Sequence, residues 1–380
     1  MDCIQFNLRP CTIEEQPMKQ TVLYPEHQAL GASFTDFGGW DMPVRYGSDL
    51  AEHHAVRESA GLFDISHMAE IWVTGSQAGE FLDYSLVNPS SAIALGKAKY
   101  SLICAPDGGV IDDLIVYHLA ENEYLVVANA GNRHNVVEAL QERVAGFANA
   151  KVDDQSDDWA LIALQGPKSA AMLQSLTDAP LDELKYYAIT AAKVGGIDVL
   201  IGRTGYTGED GFELFTPAAR AREMWQLLLR TGGDSLTPCG LAARDTLRLE
   251  AGMPLYGHEL DLTTRPDQVG LARAVAFTKD GDFVGRAALE KDLPVDAPVL
   301  VGLAGEGKRA ARADYDVVVA DVPIGKVTSG ALSPTLGFPV AMAFVSAAHA
   351  AVGASVNVDI RGSLHPYTVT ALPFYSRKKN

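Results

Sequence analysis

Three stretches of this chain gather side chains whose types and spacing are suited to charge chemistry. In "GGVIDDLIVYHL" two adjacent acids, Asp112 and Asp113, interrupt an apolar run. Successive strand side chains point to opposite faces, so both acids cannot be equally exposed if one face is core. A buried acid then needs a partner or a task, while an edge strand would leave both hydrated. In "RTGYTGEDGFE" (residues 203–213) three glycines and three carboxylates stand between the apolar runs "IDVLI" and "LFT". Gly205, Gly208 and Gly211 permit positive φ and close approach of a backbone or flat ligand. If pairing resumes at Phe212, Phe212 and Glu213 face opposite ways, so the apolar residue anchors the acid. An ordinary solvated hairpin is the plainer alternative. The third stretch, "CGLAARDTLRLEAG", reads as a helix ending near Gly252 with Arg244 and Arg248 on one face at i, i+4; surface salt bridging would also explain that pair.

These stretches need a frame of short strands and helices. "SDLAEHHAVRESAG" is predicted to be a helix capped by Ser48 and stopped at Gly61. "AEIWVTG", "AKYSLICA" and "GGVIDDLIVYHLA" follow as strands, with "PDGG" as a hairpin turn. "YLVVANAGN" and "HNVVEALQERV" make a strand and a helix, and "WALIALQGPKSAAMLQSL" a strand, Gly-Pro turn and helix. Such alternation without a fixed-period repeat points to an α+β body with antiparallel pairing. Beyond about residue 280 the runs "VLVGLAG", "YDVVVADVPIGKVTSG", "VAMAFVS", "SVNVDIRG" and "YTVTALPFY" suggest a small barrel or sandwich.

Composition narrows the function. The chain has 380 residues, 47% hydrophobic, enough for two or three domains with real cores. Lys+Arg 31 against Asp+Glu 48 gives a net charge of −17, which opposes general affinity for nucleic acid or anionic membrane. Cys3, Cys11, Cys104 and Cys239 are scattered without zinc spacing, consistent with reduced thiols and a cytoplasmic location. Residues 1–17 lack signal or transit character and are expected to form a disordered extension before Met18. No apolar run approaches the ~20 residues that cross a bilayer. His53 and His54 are consecutive, about 100° apart on a helix, with no H-E-x-x-H pattern, so no metal site is expected. "DFGGWDMPVRY" has a kinase-like D-F-G without the other kinase segments, and "GKVTSG" lacks P-loop spacing.

Taken in order, "DFGGWDMPVRYG", "HHAVRESAGLFDISHM", "GGVIDDLIVY", "ALQGP", "RTGYTGEDGFE", "GLAARDTLRLEAGMPLYG" and "VTSGALSPTLGFPVAMAFV" resemble the aminomethyltransferase (T-protein) family of the glycine cleavage system, from about Thr21 to Tyr375. The resemblance implies a three-domain α+β cloverleaf around a central tetrahydrofolate cavity. It implies a folate-binding region over 18–285, built of two intertwined α+β domains, and a C-terminal β-barrel over 286–380. The family moves the aminomethyl group from the lipoyl arm of the H-protein to tetrahydrofolate, releasing ammonia and using no metal. Asp113 matches the family's essential aspartate, Glu213 the pterin-binding glutamate and Arg244 a folate-contacting arginine. Tyr100, Tyr117, Asn129 and Tyr206 match neighbouring pocket positions. Asp112, on the other face of its strand, is expected to matter much less than Asp113.

Two related readings share the fold. A folate-binding iron–sulfur maintenance protein would carry K-G-C-Y-x-G-Q-E where this chain reads "RTGYTGEDGFE". A folate-dependent demethylase would share the pocket but need no lipoylated donor. The chain also departs from many relatives in reading "TRPDQVGLARAV", with Asp267 and Gln268, and its short tail "PFYSRKKN" leaves little reach for a folate contact from Tyr375 or Arg377.

Overall fold

The computed structural model describes residues 18–377, so the expected extension over 1–17 lies outside the described residues. Helix α1 (Tyr24–Ala29) and the hairpin β1 (Ser33–Phe37) and β2 (Trp40–Arg45) lead to α2 (Asp49–Glu58) and strand β3 (Ala60–Asp64). Ser48 caps α2 by accepting from the Ala51 N–H at 3.3 Å. The helix ends at Glu58, before the expected stop at Gly61, because Gly61 already belongs to β3. A Cβ there would lie 2.4 Å from Val56 Cγ2 and 2.8 Å from Cys239 Sγ, so this glycine serves packing rather than helix termination.

The chain then builds a separate sheet before returning to β3. Strand β4 (Ala69–Thr74), helix α3 (Ala78–Ser85), the hairpin β5 (Ala98–Cys104) and β6 (Val110–Ala120), β7 (Glu123–Ala128), helix α4 (Arg133–Val144) and β8 (Lys151–Asp154) form it, in strand order β5-β6-β7-β4-β8. The return brings β9 (Trp159–Gln165), α5 (Ser169–Gln174), the hairpin β10 (Ile189–Val194) and β11 (Ile197–Gly202), β12 (Gly211–Pro217), α6 (Ala221–Gly232) and β13 (Leu236–Pro238). They complete a six-stranded sheet ordered β10-β11-β12-β9-β3-β13. Its pairings are antiparallel except β13 against β3.

The two sheets pack face to face through Phe63, Trp72, Tyr117, Leu125, Leu161 and Phe215. Their outer faces are sealed by helices: α6 places Met224, Trp225 and Leu228 on one sheet, while α3 and α4 place Phe81, Leu82, Val136 and Leu140 on the other. Strands that alternate between these two apolar layers have no solvent face, which explains their near-continuous hydrophobic runs. Helix α7 (Leu241–Glu250) adds Ala243 and Leu247 to this intersheet core. Its N-terminal Gly240 lets it approach β2, since a Cβ would lie 2.4 Å from the Val44 carbonyl.

After the short helix α8 (Arg286–Leu289), the strands β14 (Pro298–Gly305), β15 (Asp316–Val319), β16 (Val322–Leu332), β17 (Pro339–Ser346), β18 (Ser355–Asp359) and β19 (Leu364–Thr370) close a six-stranded antiparallel barrel. The run "YDVVVADVPIGKVTSG" is two of these strands joined by a tight turn at Ala320 and Asp321. Leu249 of α7 packs against Ala331, Val340 and Met342, which joins the barrel to the rest. Among the described residues no helix is long and apolar enough to cross a membrane.

Candidate active site

A cavity of about 450 Å³ opens where the two sheets and α7 meet, a size in the range of small-molecule sites. Asp113 enters it from β6. The neighbouring strand β5 supplies Tyr100, which pairs with Ile115 two residues along from Asp113 and reaches diagonally so that its hydroxyl donates to Asp113 Oδ2 at 3.0 Å. Asn129, just past the end of β7, donates through Nδ2 to Asp113 Oδ1 at 2.9 Å. Burial pushes the Asp113 carboxyl above the usual carboxylate range, and the Tyr100 and Asn129 donors oppose that rise. Of the sequence-derived candidates, the cavity lining brings together Tyr100, Asp113, Asn129, Tyr206, Glu213 and Arg244.

Asp112 does face away from Asp113, yet it is not a bystander. It is fully buried and accepts from the Asn129 N–H at 2.8 Å, Asn129 Nδ2 at 2.9 Å and Asn132 Nδ2 at 2.7 Å. Burial first, then the nearby Asp113 charge, raise its pKa. Asp112 therefore holds the same amide that orients Asp113, and the alternative of an edge strand with both acids hydrated does not apply.

The loop after β11 delivers the second acid. Gly202 pairs with Glu213 across the β11–β12 hairpin, so the ten intervening residues bulge out and return. Only Gly208 of the three glycines has positive φ, +81°. Gly205 and Gly211 instead leave room for the Gln165 side chain, which a Cβ would approach to 2.0 and 2.5 Å. Phe212 is buried in the six-stranded sheet's core and Glu213 faces the cavity side, as alternation requires. Thr204 Oγ1 donates to Glu213 Oε2 at 2.5 Å, and Tyr117 Oη contacts Thr204 Oγ1 at 2.8 Å. Tyr117 thus stands behind Glu213 and not in the lining. Burial raises the Glu213 pKa while Thr204, the Arg244 charge and Tyr117 pull it down.

Arg244, on the first turns of α7, lays its guanidinium over the Tyr206 ring at 4.9 Å, and Tyr206 Oη donates to the Pro254 carbonyl. Arg248 shares the helix face but serves another purpose: it is buried, paired with Glu259 at 3.1 Å and donating to Ser329 Oγ of the barrel at 2.8 Å. Arg248 also pairs with the exposed Asp245 at 2.7 Å, though from a buried position, so the surface salt-bridge alternative holds for it only in part. Beyond α7, Gly252 at φ +65° turns the chain so that Met253, Pro254 and Leu255 close the cavity wall.

Two further lining residues escaped sequence reasoning. His67, in "DISHM", is buried with Nδ1 unpartnered, and burial lowers its pKa to about 4. Tyr187 adopts φ +59°, unusual for an aromatic residue, pinned by its N–H to the Arg203 carbonyl and its carbonyl to the Ala98 N–H. Neither stood in a spacing that signals chemistry. His53, considered for metal, is instead buried between Thr246 Oγ1 at 2.8 Å and Thr335 Oγ1 at 2.9 Å. Asp267 pairs with Arg265, and Tyr375 and Arg377 contact Glu209 and Asp210, all outside the lining.

The pattern of the GCVT N-terminal domain matches residues 23–279, and that of the glycine cleavage T-protein C-terminal barrel domain matches residues 299–376. The chain belongs to the glycine cleavage T-protein family. Within it, the aminomethyltransferase of Streptomyces avermitilis is 58% identical over 370 residues, covering 95% of this chain and 98% of that one. The aminomethyltransferase of Streptomyces coelicolor is 57% identical over 368 residues, covering 95% and 99%. The crystal structure of glycine cleavage system aminomethyltransferase T from Bartonella henselae superposes with a TM-score of 0.88 at 38% identity, covering 94% of this chain and 98% of that chain. This T-protein family member is accordingly an enzyme, of the aminomethyltransferase class.

Proposed function

We propose that the enzyme transfers the aminomethyl-derived one-carbon unit from the lipoyl arm of the glycine cleavage H-protein to tetrahydrofolate. The products are 5,10-methylene-tetrahydrofolate, ammonia and dihydrolipoyl H-protein, and the setting is the cytoplasm. The observation that carries this reading is one cavity in which a doubly oriented carboxylate, Asp113, shares the walls with Glu213 and Arg244.

The residue chemistry fits each demand of that transfer. The sulfur–carbon bond of the aminomethyl lipoyl group breaks, bonds from carbon to folate nitrogen form, and the amine nitrogen leaves as ammonia. Carbon at this oxidation level passes through iminium-like cations. The Asp113 carboxylate, held by Tyr100 and Asn129 in a low-dielectric cavity, stabilises that charge and relays a proton between amine and leaving group. Glu213 has Oε2 engaged by Thr204, which sets the carboxylate plane and leaves Oε1 for the paired N–H donors of a 2-aminopyrimidinone edge. Arg244, stacked on Tyr206, supplies a cationic donor fork suited to folate oxygens.

The deciding test is the donor requirement. Purified enzyme with tetrahydrofolate and aminomethylated lipoyl H-protein should yield methylene-tetrahydrofolate and ammonia in equal amounts. Small N-methyl or sulfonium compounds in place of the H-protein should yield neither, and one-carbon transfer from them without a lipoyl donor would replace this reading by the demethylase one.

A further inference from the structure

The residues lining the cavity run from Phe37 to Leu271, all ahead of the barrel, yet the chain beyond the barrel is tied to both of the walls that carry Glu213 and Arg244. Tyr375 lies at the junction. Its hydroxyl donates to Glu209 Oε1 at 2.7 Å, its N–H donates to the Glu250 carbonyl at 2.8 Å, and the Arg57 guanidinium stacks on its ring at 4.0 Å. From α2, Arg57 Nη1 donates to the Thr207 carbonyl at 2.7 Å and to Glu209 Oε1 at 3.0 Å, while Nη2 donates to Glu250 Oε2 at 2.8 Å. Glu250 also accepts from Ser333 Oγ at 2.5 Å and the Thr335 N–H at 3.0 Å, both in the turn between β16 and β17. The side chains of Arg57 and Glu209 are only 4% and 6% exposed, so solvent screens this pairing little.

Two facts of chain position give the network a direction. Glu209 lies in the loop that leads into β12, the strand that carries Glu213, and Glu250 closes the helix that carries Arg244. Arg57 spans the gap between them, and Tyr375 covers it from the far side. We propose that Arg57, Glu209 and Tyr375 form a clamp by which the carboxyl-terminal segment sets the spacing of Glu213 and Arg244, making all three positioning residues for the folate. The inference rests on the cavity being the tetrahydrofolate site.

Tyr375→Phe tests it gently, since the ring stays on Arg57 and only the hydroxyl bond to Glu209 is lost. Calorimetric titration of tetrahydrofolate should show binding weakened about three- to tenfold, the range expected for one hydrogen bond, with turnover at saturating folate changed far less. Glu209→Gln should weaken binding at least as much, and the double variant no more than Glu209→Gln alone, because the hydroxyl and the carboxylate act as one unit. Arg57→Lys keeps the charge without the fork and should fall with Glu209→Gln. Lowered melting temperatures with wild-type folate affinity in the folded variants would overturn the clamp alone, as would fully additive losses. A wild-type enzyme that binds no tetrahydrofolate would overturn the folate reading and the clamp with it.

Discussion

Asn129 holds Asp113 with the same amide nitrogen that it gives to Asp112: Nδ2 lies 2.9 Å from Asp113 Oδ1 and 2.9 Å from Asp112 Oδ1. Two acids on opposite faces of one strand are thereby linked around its edge. In Asp112→Asn, one acceptor oxygen becomes a donor set against the Asn129 and Asn132 donors. The expected outcome is a loss of roughly 1–3 kcal/mol of stability with a fall in turnover. Thermal melts and steady-state assays check it, and wild-type values in both would show that Asn129 is positioned without Asp112.

Tyr100 bears on the ionisation of Asp113. Burial raises that carboxyl's pKa and the Tyr100 hydroxyl opposes the rise by donating to the charged form. If the ionised acid is the active form, activity falls as pH drops through its pKa. Tyr100→Phe should then move the acid limb of the kcat/KM profile to higher pH, by about one unit for a charge-assisted hydrogen bond. A limb left in place, or moved downward, would contradict the assignment.

Glu213→Gln keeps the volume but turns one acceptor into a donor facing the pterin's own donors. Tetrahydrofolate should bind at least about tenfold more weakly, roughly 1.4 kcal/mol. Ground and transition states share this contact, so the loss should fall mainly on the folate KM. Equal calorimetric affinities in wild type and variant would leave Glu213 as part of an ordinary loop.

Glu250 predicts a signature in acid. Burial raises its pKa, but hydrogen bonds and charge from His53, with Ser333 and Arg57, more than offset this and hold it at about 2 against 4.5 for a free side chain. A pKa depressed by folding contributes stability in full above pH 4.5, and that contribution is lost as pH falls toward 2. Glu250→Gln should lose stability at neutral pH and then show a shallower decline across this window. Urea midpoints at a series of pH values check it, and parallel declines would exclude Glu250 as a source of the acid sensitivity.

Legibility followed the range of the physical signal. Period-two alternation was enough to set Phe212 and Glu213 on opposite faces, though not to say that Glu213 meets a cavity, and Gly/Pro punctuation marked the barrel strands, because both are local. The family resemblance, carried by long motifs, named the acids and the arginine. Roles that depend on distant partners were hidden. Tyr117 reads like the other pocket tyrosines, but it stands behind Glu213, with its hydroxyl against Thr204 Oγ1 and Glu213 Oε2 and outside the lining. Asp112 gains its partners from residues 17 and 20 positions away, and the glycines of "RTGYTGEDGFE" answer to Gln165 as much as to their own φ. His67 and Tyr187 join the cavity only through tertiary packing.

The most direct measurement is single-turnover transfer from aminomethylated lipoyl H-protein to saturating tetrahydrofolate, comparing wild type with Asp113→Asn. Asparagine keeps the shape and one acceptor but neither the charge nor the proton relay. Methylene-tetrahydrofolate and ammonia should appear together in wild type, and both should slow by roughly 10²- to 10⁴-fold in the variant, the usual range for a positioned acid–base group, with folate affinity changed far less. Near-wild-type rates in Asp113→Asn would contradict the placement of the chemistry at this carboxylate.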